Sequence, residues 1–216
     1  MTEKVELNEA KPGTRRRPAD TIRHILAAAR EEFAAHGFDG TRVEHIARRA
    51  KVSKQLVYLY FNGKEELYGE LAREVTREIY ASLNAIDLEG MAPREAIRAY
   101  ISGIYDHFAN DPVIAMVTLD ESLHQGAHLR LPGDLRRKQQ NLRDRMAQVI
   151  QRGREAGEFG EYMDAITLEF TTVILVSGCV SSRTMFARFA GQETTASDTE
   201  LLREHAITLV LRAMRA

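Results

Sequence analysis

One short predicted helix carries side chains that can contact a nucleic acid. Ser53 is a typical N-cap, and the helix that it starts is predicted to run to about Tyr60. The faces of this helix that core packing does not need carry Lys54, Gln55, Tyr58 and Leu59. Lysine can reach O6 and N7 of guanine, glutamine can pair with N6 and N7 of adenine, and a small apolar surface can meet a thymine methyl. Tyrosine hydroxyls suit phosphate oxygens, so this chemistry is that of duplex recognition.

A second short helix precedes this one across a tight turn. Thr41 is its expected N-cap, with Glu44 three residues later completing a capping box, and its apolar positions end at Ala50. The turn is Lys51-Val52-Ser53. Two short helices joined in this way form a helix-turn-helix pattern, in which the first helix crosses the phosphate backbone and the second enters the major groove.

Two histidines have the spacing of metal ligands on one helix. His124 and His128 are four residues apart, with Asp120 and Glu121 one turn before them. Because Gly126 lies between them, we expect surface or pocket-rim histidines rather than a metal site. The sequence also lacks a Walker loop, a dinucleotide fingerprint and a Gly-x-Ser-x-Gly motif. It therefore predicts no enzyme, no metal and no cofactor.

Charge is unevenly distributed along the 216 residues, although the formal net charge is only −1. The segment from Lys11 to Lys64 has a balance of +7, whereas the segment from Glu65 to the end has a balance of −6. This pattern suggests a polyanion-binding module on an acidic scaffold, and a solvated charged face is the alternative.

The composition places the chain among cytoplasmic globular proteins. Cys179 is the single cysteine, so no intramolecular disulfide can form and a reducing compartment is expected. The charged segment from Met1 to Lys11 has no apolar core, so we expect no secretory signal. The longest apolar stretch, near Val173 to Val176, is too short to span a bilayer, so we expect no membrane contact.

Helical spacing of apolar residues runs through most of the sequence. A first helix begins after Asp20 and ends at Gly37, where a left-handed residue would stop it. Beyond the break at Asn62-Gly63, the predicted helices span about 64–84, 93–108, 112–119, 132–156, 163–189 and 200–214. The predicted fold is all-α, with a basic arm (1–18), a three-helix helix-turn-helix domain (19–63) and a larger C-terminal helical domain (64–216).

The segment from Thr21 to Leu67 resembles the N-terminal domain of TetR-family transcriptional regulators. The matching elements are Ile25-Leu26-x-Ala28-Ala29, Phe33, Gly37-Phe38, Thr41, Ile46-Ala47-x-x-Ala50, Val52-Ser53, Tyr58-x-Tyr60-Phe61 and Lys64-Glu65-Glu66-Leu67. The segment departs from the family pattern at Lys51, where Gly is usual in the turn, at Leu56, where Thr is common, and at Gly63, where a small polar cap is usual.

This resemblance implies a homodimer whose two recognition helices bind a near-palindromic DNA operator. Carried over by position, the base-reading candidates are Lys54, Gln55 and Leu56. The phosphate-binding candidates are Thr41, Arg42, Tyr58, Tyr60 and Lys64. For Tyr60 the alternative is a wedge that holds the helix on its core, and for Leu56 it is core packing. The arm at Arg15-Arg16-Arg17 could follow the minor groove or phosphates, or it could be a solubilising tail.

The resemblance also implies that the C-terminal domain binds an unidentified small-molecule effector. The predicted pocket residues are apolar with a few polar groups, as ligand cavities generally are. They are Tyr105, Phe108, Met116, Leu119, His124, Met146, Met163 and Phe170. Each of these residues could instead belong to the core.

The last two predicted helices combine branched and small side chains, which lets another helix approach closely. They could form a four-helix interface with a second copy or pack inside their own chain, and the resemblance favours the dimer. The candidate interface residues are Val173, Ser177, Val180, Leu202, Ala206, Leu209, Val210 and Ala213.

The sequence therefore predicts a DNA-binding transcriptional regulator, expected to be a repressor that its effector releases from DNA. Ligand binding would tilt the long helix from Lys64 and change the separation of the two recognition helices. The alternatives are a ligand-independent architectural DNA binder and an all-helical small-molecule or metal-dependent enzyme.

Overall fold

The computed structural model describes residues 17–191, 193 and 195–215, and these residues form helices and connecting segments without a β-strand. The helices are α1 (Pro18–Gly40), α2 (Val43–Ala50), α3 (Lys54–Phe61), α4 (Lys64–Asn84), α5 (Pro93–Asn110), α6 (Pro112–Leu123), α7 (Gly133–Glu155), α8 (Ala165–Phe189) and α9 (Ala196–Ala213). The predicted all-α fold is confirmed. The predicted arm lies outside the described residues as far as residue 16.

Helix α2 packs on α1 and α3, and both α1 and α3 pack on α4. Ile25 and Phe33 of α1, Ile46 of α2 and Val57 of α3 are buried completely in this contact. Gly37 adopts a φ of 67° and interrupts α1, as its position predicted. The backbone can then turn Phe38 back into the core.

The predicted capping box at the start of α2 is wrong. Arg42 holds the N-cap position and makes no side-chain cap bond. The buried Thr41 hydroxyl donates instead to the carbonyls of Glu32 (3.1 Å) and Gly37 (2.8 Å). The kink at Gly37 presents these α1 carbonyls to Thr41, and a buried hydroxyl must find an acceptor.

The last helix begins earlier than the sequence predicted. α9 starts at Ala196 rather than near Glu200, because Thr195 and Asp198 form a reciprocal capping box. Residues 196–199, which fall between two predicted helices, therefore form the first turn of α9.

Helix α4 connects the first three helices to the remainder of the fold. Its first half buries Leu67, Tyr68 and Leu71, and its length packs on α1, α5 and α7. Two arginines of α7 hold the segment that leaves α4. Arg145 donates to the carbonyls of Asn84 (2.8 Å) and Ile86 (2.6 Å), and Arg152 donates to that of Leu88 (2.7 Å).

Helix α6 also reaches the first three helices, at the kink in α1. The carboxylate of Asp120 accepts the backbone N–H of Phe38 at 2.7 Å. The Phe38 ring lies between Tyr68, at 5.0 Å between centroids, and His128, at 4.5 Å. The buried carboxylate of Glu121 orients His128 through a contact of 3.0 Å with Nδ1. The N-terminal helices are therefore held by both α4 and α6.

Candidate DNA-binding site

Helix α3 presents a polar outer face because its two ends and its inner face are fixed locally. The Ser53 hydroxyl accepts the N–H of Leu56 at 3.2 Å, as a capping residue should. Val57 and Phe61 are buried against the neighbouring helices. The opposite side exposes Lys54, Gln55, Tyr58 and Leu59, with exposed fractions of 45% for Tyr58 and 75% for Leu59.

The turn between α2 and α3 forces a lysine into the left-handed region. Lys51 has a φ of 56°, and its N–H donates to the Arg48 carbonyl at 3.2 Å. The next amide, of Val52, donates to the Ala47 carbonyl at 3.0 Å. These bonds end α2 and hold Lys51 in the left-handed conformation. Glycine adopts this conformation at a lower cost in free energy than a residue with a Cβ.

Lys54 is held across the helix-turn-helix by a carboxylate. Its ammonium lies 2.5 Å from Glu44 of α2 and 5.5 Å from the centre of the Tyr58 ring. The bond to Glu44 raises the pKa of Lys54, and the same bond lowers the pKa of Glu44. Both side chains are exposed, so DNA could replace Glu44 as the partner of this lysine.

The phosphate candidates fall into two groups. Arg42 and Tyr58 are exposed, as are Lys54 and Gln55. Thr41 is buried with its hydroxyl occupied, and Tyr60 is half-buried against the core. Lys64 donates to the Phe38 carbonyl at 2.9 Å and lies 4.3 Å from the centre of that ring.

Leu56, the third base-reading candidate, is half-buried beside its exposed neighbours. Arg48 of α2, which sequence reasoning did not select, is an additional exposed cation. Its position on the outer side of an amphipathic helix is the signal that could have indicated it.

Comparison with known proteins identifies the family. A model of bacterial regulatory proteins of the tetR family matches residues 25–71, and a model of the tetracyclin repressor-like C-terminal domain matches residues 93–210. The chain belongs to the TetR family of transcriptional regulators. The HTH-type transcriptional repressor NicS of Pseudomonas putida is 32% identical over 174 residues, which cover 78% of this chain and 79% of that protein.

Two further proteins are similar to this chain. The HTH-type transcriptional repressor SCO4008 of Streptomyces coelicolor is 28% identical over 167 residues, covering 76% of this chain and 81% of that protein. A solved regulatory protein of the tetR family from Rhodococcus has a TM-score of 0.70 at 20% identity, covering 91% of this chain and 97% of that one. That structure shares the fold.

The pocket candidates of this TetR regulator do not lie in one environment. Tyr105, Phe108, Met146 and Met163 are buried, Met116 and His124 are half-buried, and Leu119 and Phe170 are exposed. Phe170 points away from the core of its own chain, with an exposed fraction of 61%. Their role in ligand binding stays a prediction.

The candidate dimer residues lie along the seam between α8 and α9. Ala206 and Val210 are buried within the chain, and Leu209 and Ala213 are exposed. Val173, Ser177, Val180 and Leu202 are half-buried. Sequence reasoning missed a more exposed stripe beside them, formed by Ile166, Phe170 and Ile174, whose exposed fractions are 51%, 61% and 67%. Their spacing of four residues is the signal that could have found it.

Length and composition alone would allow α8 to cross a bilayer. The core helix of a soluble protein passes the same test. In the structure α8 packs against α5, α6, α7 and α9 of its own chain.

The two histidines that follow α6 lie at the contact with α1. His124 lies 3.9 Å from Asp39, and His128 binds Glu121. Among the described residues, no group of three or more histidine, cysteine or carboxylate side chains could hold a metal ion.

Proposed function

We propose that this protein is a repressor that binds a near-palindromic operator as a homodimer in the cytoplasm and releases it when a small molecule binds the C-terminal helices. The outward face of α3 carries the proposal. It combines an exposed ammonium, an exposed amide and a phenol on one rigid, capped helix, and these are groups that bind base edges and phosphates.

The homodimer is supported by the apolar stripe on α8. Ile166, Phe170 and Ile174 leave a large apolar surface in contact with solvent, and such a surface is typical of a protein interface. In a two-fold symmetric dimer, the same patch of each subunit would contact the other subunit. The dimer would then carry two copies of α3, one for each half of the operator. Two half-sites one helical turn apart, at about 34 Å, would then be bound together.

Release by an effector is supported by the way α4 and α6 hold the N-terminal helices. Lys64 at the start of α4 binds the Phe38 carbonyl, and Asp120 of α6 binds the Phe38 amide. A ligand that shifts either helix would therefore move α3 of each subunit. Complete switching between the two states would require about 5.5 kcal/mol of differential ligand affinity.

A binding titration tests this function. The purified protein is titrated against the DNA upstream of its own coding region and against a scrambled duplex, at two salt concentrations. We expect saturable binding by a dimer, with at least about a thousandfold preference for the operator sequence. Equal affinity for scrambled DNA would remove the proposal, and binding by a monomer would remove its dimeric part.

A further inference from the structure

The outward face of α3 consists of two rows of side chains. Side chains four residues apart lie on the same face of a helix, with Cβ atoms about 5 to 6 Å apart. Lys54 and Tyr58 form the first row, and the ammonium of Lys54 lies 5.5 Å from the centre of the Tyr58 ring. Gln55 and Leu59 form the second row, and both are exposed.

The two rows differ in the groups that they offer to a DNA duplex. The ammonium and the phenol of the first row suit phosphate oxygens, and the ammonium can also reach guanine. The second row offers a carboxamide and a branched hydrocarbon. In the major groove a carboxamide pairs with N6 and N7 of adenine, and a hydrocarbon contacts the C5-methyl group of thymine. The second row is therefore suited to A·T pairs.

Of the two leucines of α3, Leu59 extends further into solvent. Its exposed fraction is 75%, whereas Leu56 is half-buried. Leu56 also lies four residues before Tyr60, which packs against the core. Leu56 is therefore on the side of α3 nearer to the protein, and Leu59 is on the outward side beside Gln55.

Hydrogen bonds at both ends of α3 hold the two rows at a fixed spacing. The Ser53 hydroxyl accepts the N–H of Leu56 at 3.2 Å, and the N–H of Asn62 donates to the Tyr58 carbonyl at 2.8 Å. Successive bases of a strand are about 3.4 Å apart along the duplex, which is less than the spacing of neighbouring side chains within a row. Two side chains of one row can therefore reach bases that are no more than two base-pair steps apart.

We infer that Gln55 and Leu59 read two A·T pairs, no more than two steps apart, in each half of the operator. Gln55 pairs with N6 and N7 of an adenine, and Leu59 contacts the C5-methyl group of a thymine. This contact removes apolar surface of Leu59 from water, and cytosine has no such methyl group to offer. The inference rests on the proposed function, because it concerns the DNA that the repressor binds.

Binding titrations with DNA that lacks single methyl groups test the contact of Leu59. Footprinting first locates the sequence that the full chain binds upstream of its own coding region. Each thymine of that sequence is then replaced singly by deoxyuridine, which lacks only the methyl group. The parent protein, Leu59→Ala and Leu56→Ala are titrated against every duplex. Leu123→Ala, at a leucine of α6 with a similar exposed fraction of 78%, is the matched control.

We expect one thymine replacement to weaken binding of the parent protein about three- to fivefold, as removal of one buried methyl group should. Leu59→Ala should bind the unmodified operator about three- to tenfold more weakly than the parent and should no longer respond to that replacement. Leu56→Ala and Leu123→Ala should respond like the parent. The inference is overturned if Leu59→Ala also responds like the parent, if Leu56→Ala alone loses the response, or if no replacement affects the parent.

A second base analogue tests the distance between the two bases. Each adenine is replaced singly by 7-deazaadenine, which lacks the N7 acceptor. One replacement should weaken binding of the parent about three- to tenfold and should leave Gln55→Ala unaffected. That adenine should lie no more than two base-pair steps from the thymine identified with Leu59→Ala. A larger separation, or a Gln55→Ala protein that responds to every replacement like the parent, would overturn the joint reading.

The scrambled duplex separates failure of this inference from failure of the proposed function. Equal affinity of the parent for the operator and the scrambled duplex would overturn the proposed function and this inference with it. A clear operator preference without either coupled base would overturn the inference alone. If Leu59→Ala weakens binding to both duplexes equally, Leu59 does not read a base and the inference is wrong.

Discussion

Helix α3 and helix α8 both leave large apolar side chains in solvent, but their surroundings differ. On α3 the exposed Tyr58 and Leu59 are interleaved with Lys54 and Gln55. On α8 the stripe from Ile166 to Ile174 has no charged residue among its exposed members. A mixed face suits a hydrated, charged groove, whereas an uncharged face is suited to another apolar surface. Exposure alone therefore does not indicate a partner, and the neighbouring charges do.

The largest effect should come from charging the α8 stripe. Ile174→Arg should prevent dimer formation, because the guanidinium would lie in an apolar contact. Operator affinity should then fall by at least about a hundredfold, since the two half-sites would no longer be bound together. Sedimentation velocity and gel shift measure the two effects. Leu123→Arg, at a site of 78% exposure on α6, is the control and should stay dimeric. A dimeric Ile174→Arg protein would show that the stripe is not the interface.

Removing a base-reading group from α3 should have a smaller and sequence-selective effect. Gln55→Ala should weaken operator binding by about 1 to 3 kcal/mol and leave binding to scrambled DNA unchanged. Gln148→Ala, exposed on α7, should change neither. Competition titrations with both duplexes measure the difference. Equal losses on the two duplexes would assign Gln55 to phosphate contact.

Releasing Lys54 from its carboxylate should strengthen DNA binding. Glu44→Gln removes the partner that holds the ammonium, and we expect about two- to fivefold higher operator affinity. The slope of log K against log salt should become steeper by up to about one unit. Glu31→Gln also removes an exposed carboxylate, one paired with Arg49, and should have less effect. An unchanged slope would mean that releasing Lys54 from Glu44 adds no ionic contact with the DNA.

The smallest expected effect is on stability at the α2–α3 turn. Lys51→Gly should raise the free energy of unfolding by about 0.5 to 1 kcal/mol, because glycine adopts the positive φ with less strain. Urea denaturation measures it. Lys51→Ala loses the same charge but keeps a Cβ, so it should not gain stability. Equal gains in both variants would attribute the change to charge.

The fold and helix α3 could be predicted because local rules determine them. Gly37, Ser53 and the break at Asn62 act through their own backbone and adjacent residues, and the structure shows each of them where the sequence indicated. The prediction that Thr41 caps α2 is wrong because the Thr41 hydroxyl donates to carbonyls of the preceding helix. A capping pattern read from the sequence does not include contacts with another helix.

The C-terminal sites depend on contacts between distant parts of the sequence. Phe170 is a predicted pocket residue, and the packing of α8 on its neighbours leaves its side chain exposed, which no spacing pattern indicates. Three buried polar groups have no hydrogen-bond partner among the described residues, namely the Tyr105 hydroxyl of α5 and the Nε–H groups of Arg183 of α8 and Arg203 of α9. Their burial without an acceptor became visible only in three dimensions.

The arginines of α7 that bind the carbonyls after α4 have a mechanical consequence. Lys64 fastens one end of α4 to Phe38, while Arg145 and Arg152 fasten the segment beyond its other end. Helix α4 is therefore held at both ends, so a displacement of one end should move the whole helix. A displacement of α7 would accordingly be transmitted along the 21 residues of α4 to the kink of α1.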